Sequence, residues 1–159
     1  MKCLNCKSGK YVPKKIDDAV KIEGGPTVVV KGVRCQICSK CDDTLMDAAT
    51  TTKRTQFVLA ALVQMYSGDL QIPGKVAKWM RKSIDLSATE WAKTVGVDPS
   101  TFSQSAQRNT MVDRYSSFVL LCKAVSYISG SPHGEYLIRE THQIAKLIDE
   151  RILKCVKIA

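Results

Sequence analysis

A chain of 159 residues, 45% hydrophobic and 25% charged, has the composition of a globular protein, which excludes a disordered or fibrous chain. Its length allows one ordinary domain or two small ones. The 24 lysines and arginines outweigh 15 acidic residues to give a formal net charge of +9, which favours a polyanionic partner such as nucleic acid or an anionic membrane surface. Residues 1–70 hold 11 basic and 7 acidic side chains and residues 71–159 hold 13 and 8, so no basic tail carries the excess. The longest apolar run, 57–63, is too short to cross a bilayer, and the opening Met1-Lys2-Cys3 lacks the apolar core of a secretory signal. A soluble, cytoplasmic protein without membrane attachment is the expectation.

Along the chain, residues 1–43 lean towards β-structure. Two runs, 11–23 and 27–33, flank Gly24-Gly25-Pro26, a turn signal, and Val28-Val29-Val30 is a strong strand former. Residues 44–68 read as a connecting helix ended by Ser67-Gly68, and Ile72-Pro73-Gly74 as a linker. Helical patterning fills 75–128 and 135–157, with a break over 129–134. The pattern predicts a mostly α protein with a small β element: a module over 1–43, a connecting helix and linker over 44–72, and a helical domain over 73–159.

Seven cysteines are an odd number, and five of them fall within the first 41 residues. Thiols stay reduced in the cytosol, so such clustering favours metal over disulfides. Cys3-x-x-Cys6 and Cys38-x-x-Cys41 form two knuckles separated by 31 residues that read as a hairpin. A C-x-x-C turn points two thiolates at one ion, and zinc takes four such soft ligands in a tetrahedron. Cys35-x-x-Cys38 is a competing knuckle. Asp42-Asp43 after the second pair and the place of Cys35 at a strand end favour Cys38 and Cys41. Four thiolates leave no open position for water, so one structural zinc ion is expected.

The second signal lies between residues 86 and 108. Ser87 and Glu90 have the spacing of a capping box, and Trp91, Ala92 and Val95 form the inward face of a short helix ending at Gly96. Asp98-Pro99 then starts another helix, pinned inward by Phe102. This is helix-turn-helix spacing, whose second helix enters the major groove. Its exposed face carries Ser100, Thr101, Ser103, Gln104, Gln107 and Arg108, and Gln104 can pair with adenine through two hydrogen bonds. Ser87, Gln107, Arg108 and Arg81 are placed for phosphates.

With these motifs the chain resembles the MqsA-type antitoxins, which join a YgiT-type zinc-finger domain to an XRE-like, lambda-repressor-like helix-turn-helix domain. The shared residues are Met1-Lys2-Cys3-x-x-Cys6, Val30-Lys31-Gly32-Val33, Cys38-x-x-Cys41-Asp42-Asp43 and Met80-Arg81-Lys82-Ser83-x-x-Leu86-Ser87. Gly96-Val97, Ser100 and Phe102-Ser103-Gln104 complete the match, which covers about residues 1–140. The resemblance implies a structural zinc, an N-terminal domain that binds a small ribonuclease toxin, and a C-terminal five-helix domain that dimerises and represses its own operon. Base contacts map by motif position onto Ser100 and Gln104. Ser105-Ala106-Gln107 departs from the aromatic-Glu pair usual there, and Gln104 stands where a long side chain such as Arg is common.

The last helical stretch carries Ile138, Thr141, Ala145, Ile148, Ile152 and Cys155 at alternating spacings of three and four, a stripe for the monomer's own core or for a dimer seam. A homodimer suits a palindromic DNA operator. Cys122 and Cys155 read as core thiols, Trp79 and Trp91 as packing residues, and His133 and His142 stand isolated. No acid-base or nucleophile set converges, so no enzyme is expected. Three functions fit these residues: an antitoxin-type repressor, a zinc-containing regulator without a toxin, and an RNA-binding module.

Overall fold

The computed structural model describes residues 1–130. The expected helix over 135–157, with its dimer stripe, His133, His142 and Cys155, lies outside the described residues. The elements run from a small antiparallel sheet into five helices, the expected α-rich class. Strand β1 (Tyr11–Lys21) and strand β2 (Thr27–Cys38) pair as a hairpin, and β3 (Thr44–Leu45) adds to β2 opposite Gln36 and Ile37. Helices α1 (Ala48–Tyr66), α2 (Gly74–Ser83), α3 (Ala88–Val95), α4 (Pro99–Arg108) and α5 (Arg114–Ser129) follow.

Strand β2 runs beyond the expected end at Val33 as far as Cys38, so Cys35 lies within the strand. Alternation decides which face each residue serves. Val28, Val30, Val33 and Cys35 turn inward and are buried, whereas Val29, Arg34 and Gln36 are exposed. The register shifts at a bulge between Ile16 and Asp18, and across from it Gly32 adopts φ 66 and donates its amide to Asp17 at 3.0 Å. Strand β1 is the outer edge of the sheet. Beside that edge, the N-terminal segment bridges Lys2 to Lys10, and Pro13, Lys14, Lys15 and the bulge follow.

The helix expected from residue 44 starts at Ala48. Thr44 and Leu45 are taken by the ladder with β2, and Asp47 caps the helix by accepting the Thr50 amide at 2.6 Å. Val58, Leu59, Leu62 and Val63 form its inner face and are fully buried, each removal from water being worth about 1.5–3 kcal/mol. The connecting helix is therefore a central core element, packed against β2, α2 and α5. The helical patterning over 75–128 divides into α2 to α5 at Asp85 with φ 54, at Gly96 with φ 73, the expected end of α3, and at Asn109 with φ 52.

One cluster of buried side chains runs through both sheet and helices. It joins Val20, Ile22, Val28, Val30 and Val33 of the hairpin to Leu59, Ile72, Val76, Met80, Trp91, Phe102 and Leu120. A second, small cluster of Cys3, Tyr11 and Cys38 lies at the other end of the hairpin. The Arg54–Asp18 ion pair ties α1 to β1, and Lys75 reaches Glu23 at 2.6 Å.

Candidate metal centre and exposed helix pair

The two C-x-x-C knuckles are built alike. In each, the residue four after the first cysteine enters the left-handed region, Lys7 at φ 57 and Asp42 at φ 55, which curls both cysteines onto one side. The Cys3 amide donates to Gly9 at 2.9 Å and the Cys38 amide to Asp43 at 2.9 Å, closing the two loops. Sulfurs are paired across them, Cys3 to Cys41 and Cys6 to Cys38, each at 3.6 Å. All four Sγ atoms lie within 4.8 Å of one another. Four sulfurs at about 2.3 Å from a tetrahedral zinc stand about 3.8 Å apart, so the set matches that geometry.

Cys35 is not part of the group. Its buried Sγ faces the Lys14 carbonyl at 3.6 Å on the inner side of the sheet. Gly9 lies directly against the cluster, where a Cβ would collide with the Cys38 sulfur. Its amide donates to Cys6 Sγ at 3.3 Å, and the Lys40 amide donates to Cys38 Sγ at 3.4 Å. Hydrogen bonds from the Ser8 side chain and from the Ser8 and Gly9 amides lower the Cys6 thiol to about 6. The Asp43 amide favours the Cys41 thiolate, yet desolvation and the three neighbouring sulfurs push that thiol up to about 12. Four thiolates this close need a cation to offset their repulsion. The residues present fit a metal ion held entirely by sulfur.

The helix pair α3–α4 lies in the other cluster. Ser87 accepts the Glu90 amide at 3.1 Å while Glu90 accepts the Ser87 amide at 2.9 Å, forming the expected capping box. Gly96 ends α3 in the left-handed region, Asp98 caps α4 by accepting the Ser100 amide at 2.7 Å, and Pro99 opens that helix. Trp91 and Phe102 pack edge to face at 6.0 Å across the two helices. In α4 only Phe102 and Ala106 are buried.

A family model described as the antitoxin component of bacterial toxin-antitoxin systems, MqsA, matches residues 1–125, spanning both the cysteine cluster and the helix pair. The chain belongs to the MqsA antitoxin family. Its role is that of an antitoxin, and membership implies a toxin as partner. No curated protein matches the chain.

In this MqsA antitoxin the six polar residues singled out on α4 (Ser100, Thr101, Ser103, Gln104, Gln107 and Arg108) are all exposed, and so is Ser87 at the start of α3. Arg81 is not among them. It is 9% exposed, its guanidinium lies 5.8 Å from the centre of the Phe102 ring, and Nη1 donates to the Leu86 carbonyl. The phosphate contact expected of Arg81 thus gives way to an internal one, because its place on α2 beside Met80 faces α4 and the turn that leads into α3. Burial lowers its pKa from the ordinary arginine value.

Sequence reasoning missed the partner of the MqsA cysteines. Tyr11 donates its hydroxyl to Asp43 Oδ2 at 2.5 Å, which also lies 3.9 Å from Cys3 Sγ, and the hydroxyl accepts the Leu4 amide at 3.4 Å. The bond to Asp43 raises the phenol above its ordinary range. One tyrosine thereby links both knuckles. From sequence Asp43 stands out only as an acidic turn residue; its pairing depends on the register that brings Tyr11 opposite Cys38.

Proposed function

We propose that this antitoxin is a sequence-specific transcriptional repressor that binds a palindromic operator as a homodimer. On this reading α4 enters the major groove of double-stranded DNA. Ser100, Thr101, Ser103 and Gln104 meet base edges, while Ser87, Gln107 and Arg108 contact phosphates. The supporting observation is the asymmetry of α4: Phe102 and Ala106 anchor it inward, and every other polar group named stands exposed. A net charge of +9 supports attraction to the duplex, with binding that weakens steeply as salt rises.

The metal is proposed to be one structural zinc on Cys3, Cys6, Cys38 and Cys41, a choice supported by four soft donors in tetrahedral reach with no ligand position left over. The zinc lobe is the proposed surface that neutralises the toxin, a small ribonuclease by family resemblance. A cytoplasmic location belongs to the same proposal, since four thiolate ligands require thiols kept reduced. Among the described residues no helix is long and apolar enough to cross a membrane.

The test is a binding titration on the duplex upstream of the gene, against random duplex and single-stranded RNA of equal length. Gln104→Ala is expected to cost about 1–3 kcal/mol on the gene's own duplex and little on random DNA. An equal loss on both would make Gln104 a backbone contact, and preference for the RNA would overturn the repressor reading.

A further inference from the structure

Asn109 sits where three parts of the molecule meet. Its backbone ends α4 in the left-handed region at φ 52, which asparagine tolerates better than most residues. Its side chain leaves α4 altogether. Oδ1 accepts the Lys75 amide at 3.2 Å, and Nδ2 donates to the Gly24 carbonyl at 3.2 Å. The Lys75 amide belongs to the first turn of α2, whose N-cap, Pro73, has no side-chain hydrogen bond to offer. Asn109 therefore caps one helix from the end of another while holding the turn of the hairpin.

Close approach is built into all three sides of this junction. A Cβ on Gly24 would stand 2.6 Å from Asn109 Nδ2, and the residue is at φ 67 besides. A Cβ on Gly25 would overlap Val76, and one on Gly74 would overlap the Ser105 carbonyl. The Glu23–Lys75 ion pair spans the same contact at 2.6 Å. Helix α4 depends on this junction, because its buried side chains stop at Ala106 and both Gln107 and Arg108 are exposed. Phe102 and Ala106 anchor the helix, and backbone bonds from Gly74 to Thr110 and from Val112 to Ile72, each at 2.9 Å, tie its end to the start of α2; the Asn109 side chain adds the tie to the hairpin turn.

We infer that Asn109 is a positioning residue through which the hairpin turn sets the direction of α4. The ribbon that carries the cysteine cluster at one end thus braces, at its other end, the face bearing Ser100 and Gln104. The functional consequence rests on the proposed reading of duplex DNA by α4; the mechanical one does not.

The experiment compares the full chain with Asn109→Gly, which keeps the left-handed cap and loses both side-chain bonds. A second variant, Asn109→Asp, keeps an acceptor for Lys75 and loses the donor to Gly24. Amide hydrogen exchange is followed at Lys75, Gly25 and Thr110, alongside affinity for the upstream duplex. For Asn109→Gly the expected result is faster exchange at all three amides and binding weaker by about five- to tenfold, the size of one lost hydrogen bond or slightly more. For Asn109→Asp, Lys75 stays protected while Gly25 loosens, and binding is intermediate. Faster exchange at Lys75 alone, or unchanged affinity in Asn109→Gly where the parent chain binds tightly, overturns the inference. A parent chain that ignores the duplex removes the repressor reading instead; the latch then stands if Gly25 and Thr110 loosen and falls if they keep their protection.

Discussion

Gly9 shows how a single missing side chain decides a metal centre. It has no positive φ to explain it; what excludes other residues is the Cys38 sulfur, which any Cβ would strike. Gly9→Ala is therefore expected to spoil the four-sulfur arrangement while leaving the helices folded. Titration with cobalt(II), whose visible spectrum reports tetrahedral sulfur ligation, checks this: the variant should lose the spectrum or bind at least tenfold more weakly, in line with effects of disturbing the surroundings of metal ligands. Arg81 and Arg108 make a second contrast between residues of equal charge. Arg81 is enclosed beside Phe102, whereas Arg108 is exposed in the last turn of α4. If α4 binds DNA as proposed, Arg108→Ala should reduce the salt dependence of binding by about one counterion, and Arg81→Met should leave that slope unchanged. Equal slopes for both variants would place Arg108 away from the phosphates.

At the scale of elements, acidic caps recur. Hydrogen bonds from Thr50 hold Asp47 below its ordinary carboxylate value, and bonds from Ser100 and Ser87 do the same for Asp98 and Glu90. Asp113 is opposed by burial, yet its bonds from Ser116 still lower it. Each group has a folded pKa below its unfolded one, so its stabilisation is complete above the unfolded value near 4 and is lost as pH falls through the folded value. Helix content followed by circular dichroism should hold from neutrality to about pH 4 and decline below it. Asp98→Asn, which keeps an oxygen acceptor for the Ser100 amide without the charge, should flatten its share of that decline.

The Ser87–Glu90 box and the Asp98 cap were readable from sequence because an N-cap and its amide lie two or three residues apart; the Asp47 and Asp113 caps were not read. The C-x-x-C knuckles and the Gly96 turn were readable for the same reason. Strand β3 was not, because Thr44 and Leu45 pair only with residues brought alongside by the hairpin. Nor was the inward turn of Arg81, since helical periodicity fixes an angle about α2 but not which neighbour fills it. The bond from Tyr11 to Asp43 spans 32 positions and depends on strand register, a quantity the local pattern leaves open.

Across the whole molecule the hairpin serves two bodies of unequal strength. Its turn half, from Val20 through Val33, contributes side chains to the same core as the helices. Its open half ends, among the described residues, in a cluster of three buried residues, Cys3, Tyr11 and Cys38, a core small enough to depend on a cation. The bulge at Ile16–Asp18 and the turn of Gly32 lie near the outer end of the turn half, one step before the Ile16–Val33 pair that closes it. Chelation at neutral pH is expected to erase amide protection at Cys3, Tyr11 and Cys38 while Val28, Leu59 and Leu120 stay protected. Hydrogen exchange read residue by residue tests this, and loss of protection throughout would mean that metal holds the entire fold.

The outer rim of β1 has its own consequence. Only the start of this eleven-residue edge strand is covered among the described residues, by the bond from the Tyr11 amide to the Met1 carbonyl, and an edge strand invites identical ribbons to stack onto it. Here the imino ring of Pro13 removes one donor, Lys14 and Lys15 set like charges against any incoming copy, and the kink after Ile16 spoils a straight docking line. Concentrated solutions should accordingly stay clear and resist fibre growth, with the rim kept from zipping molecules together.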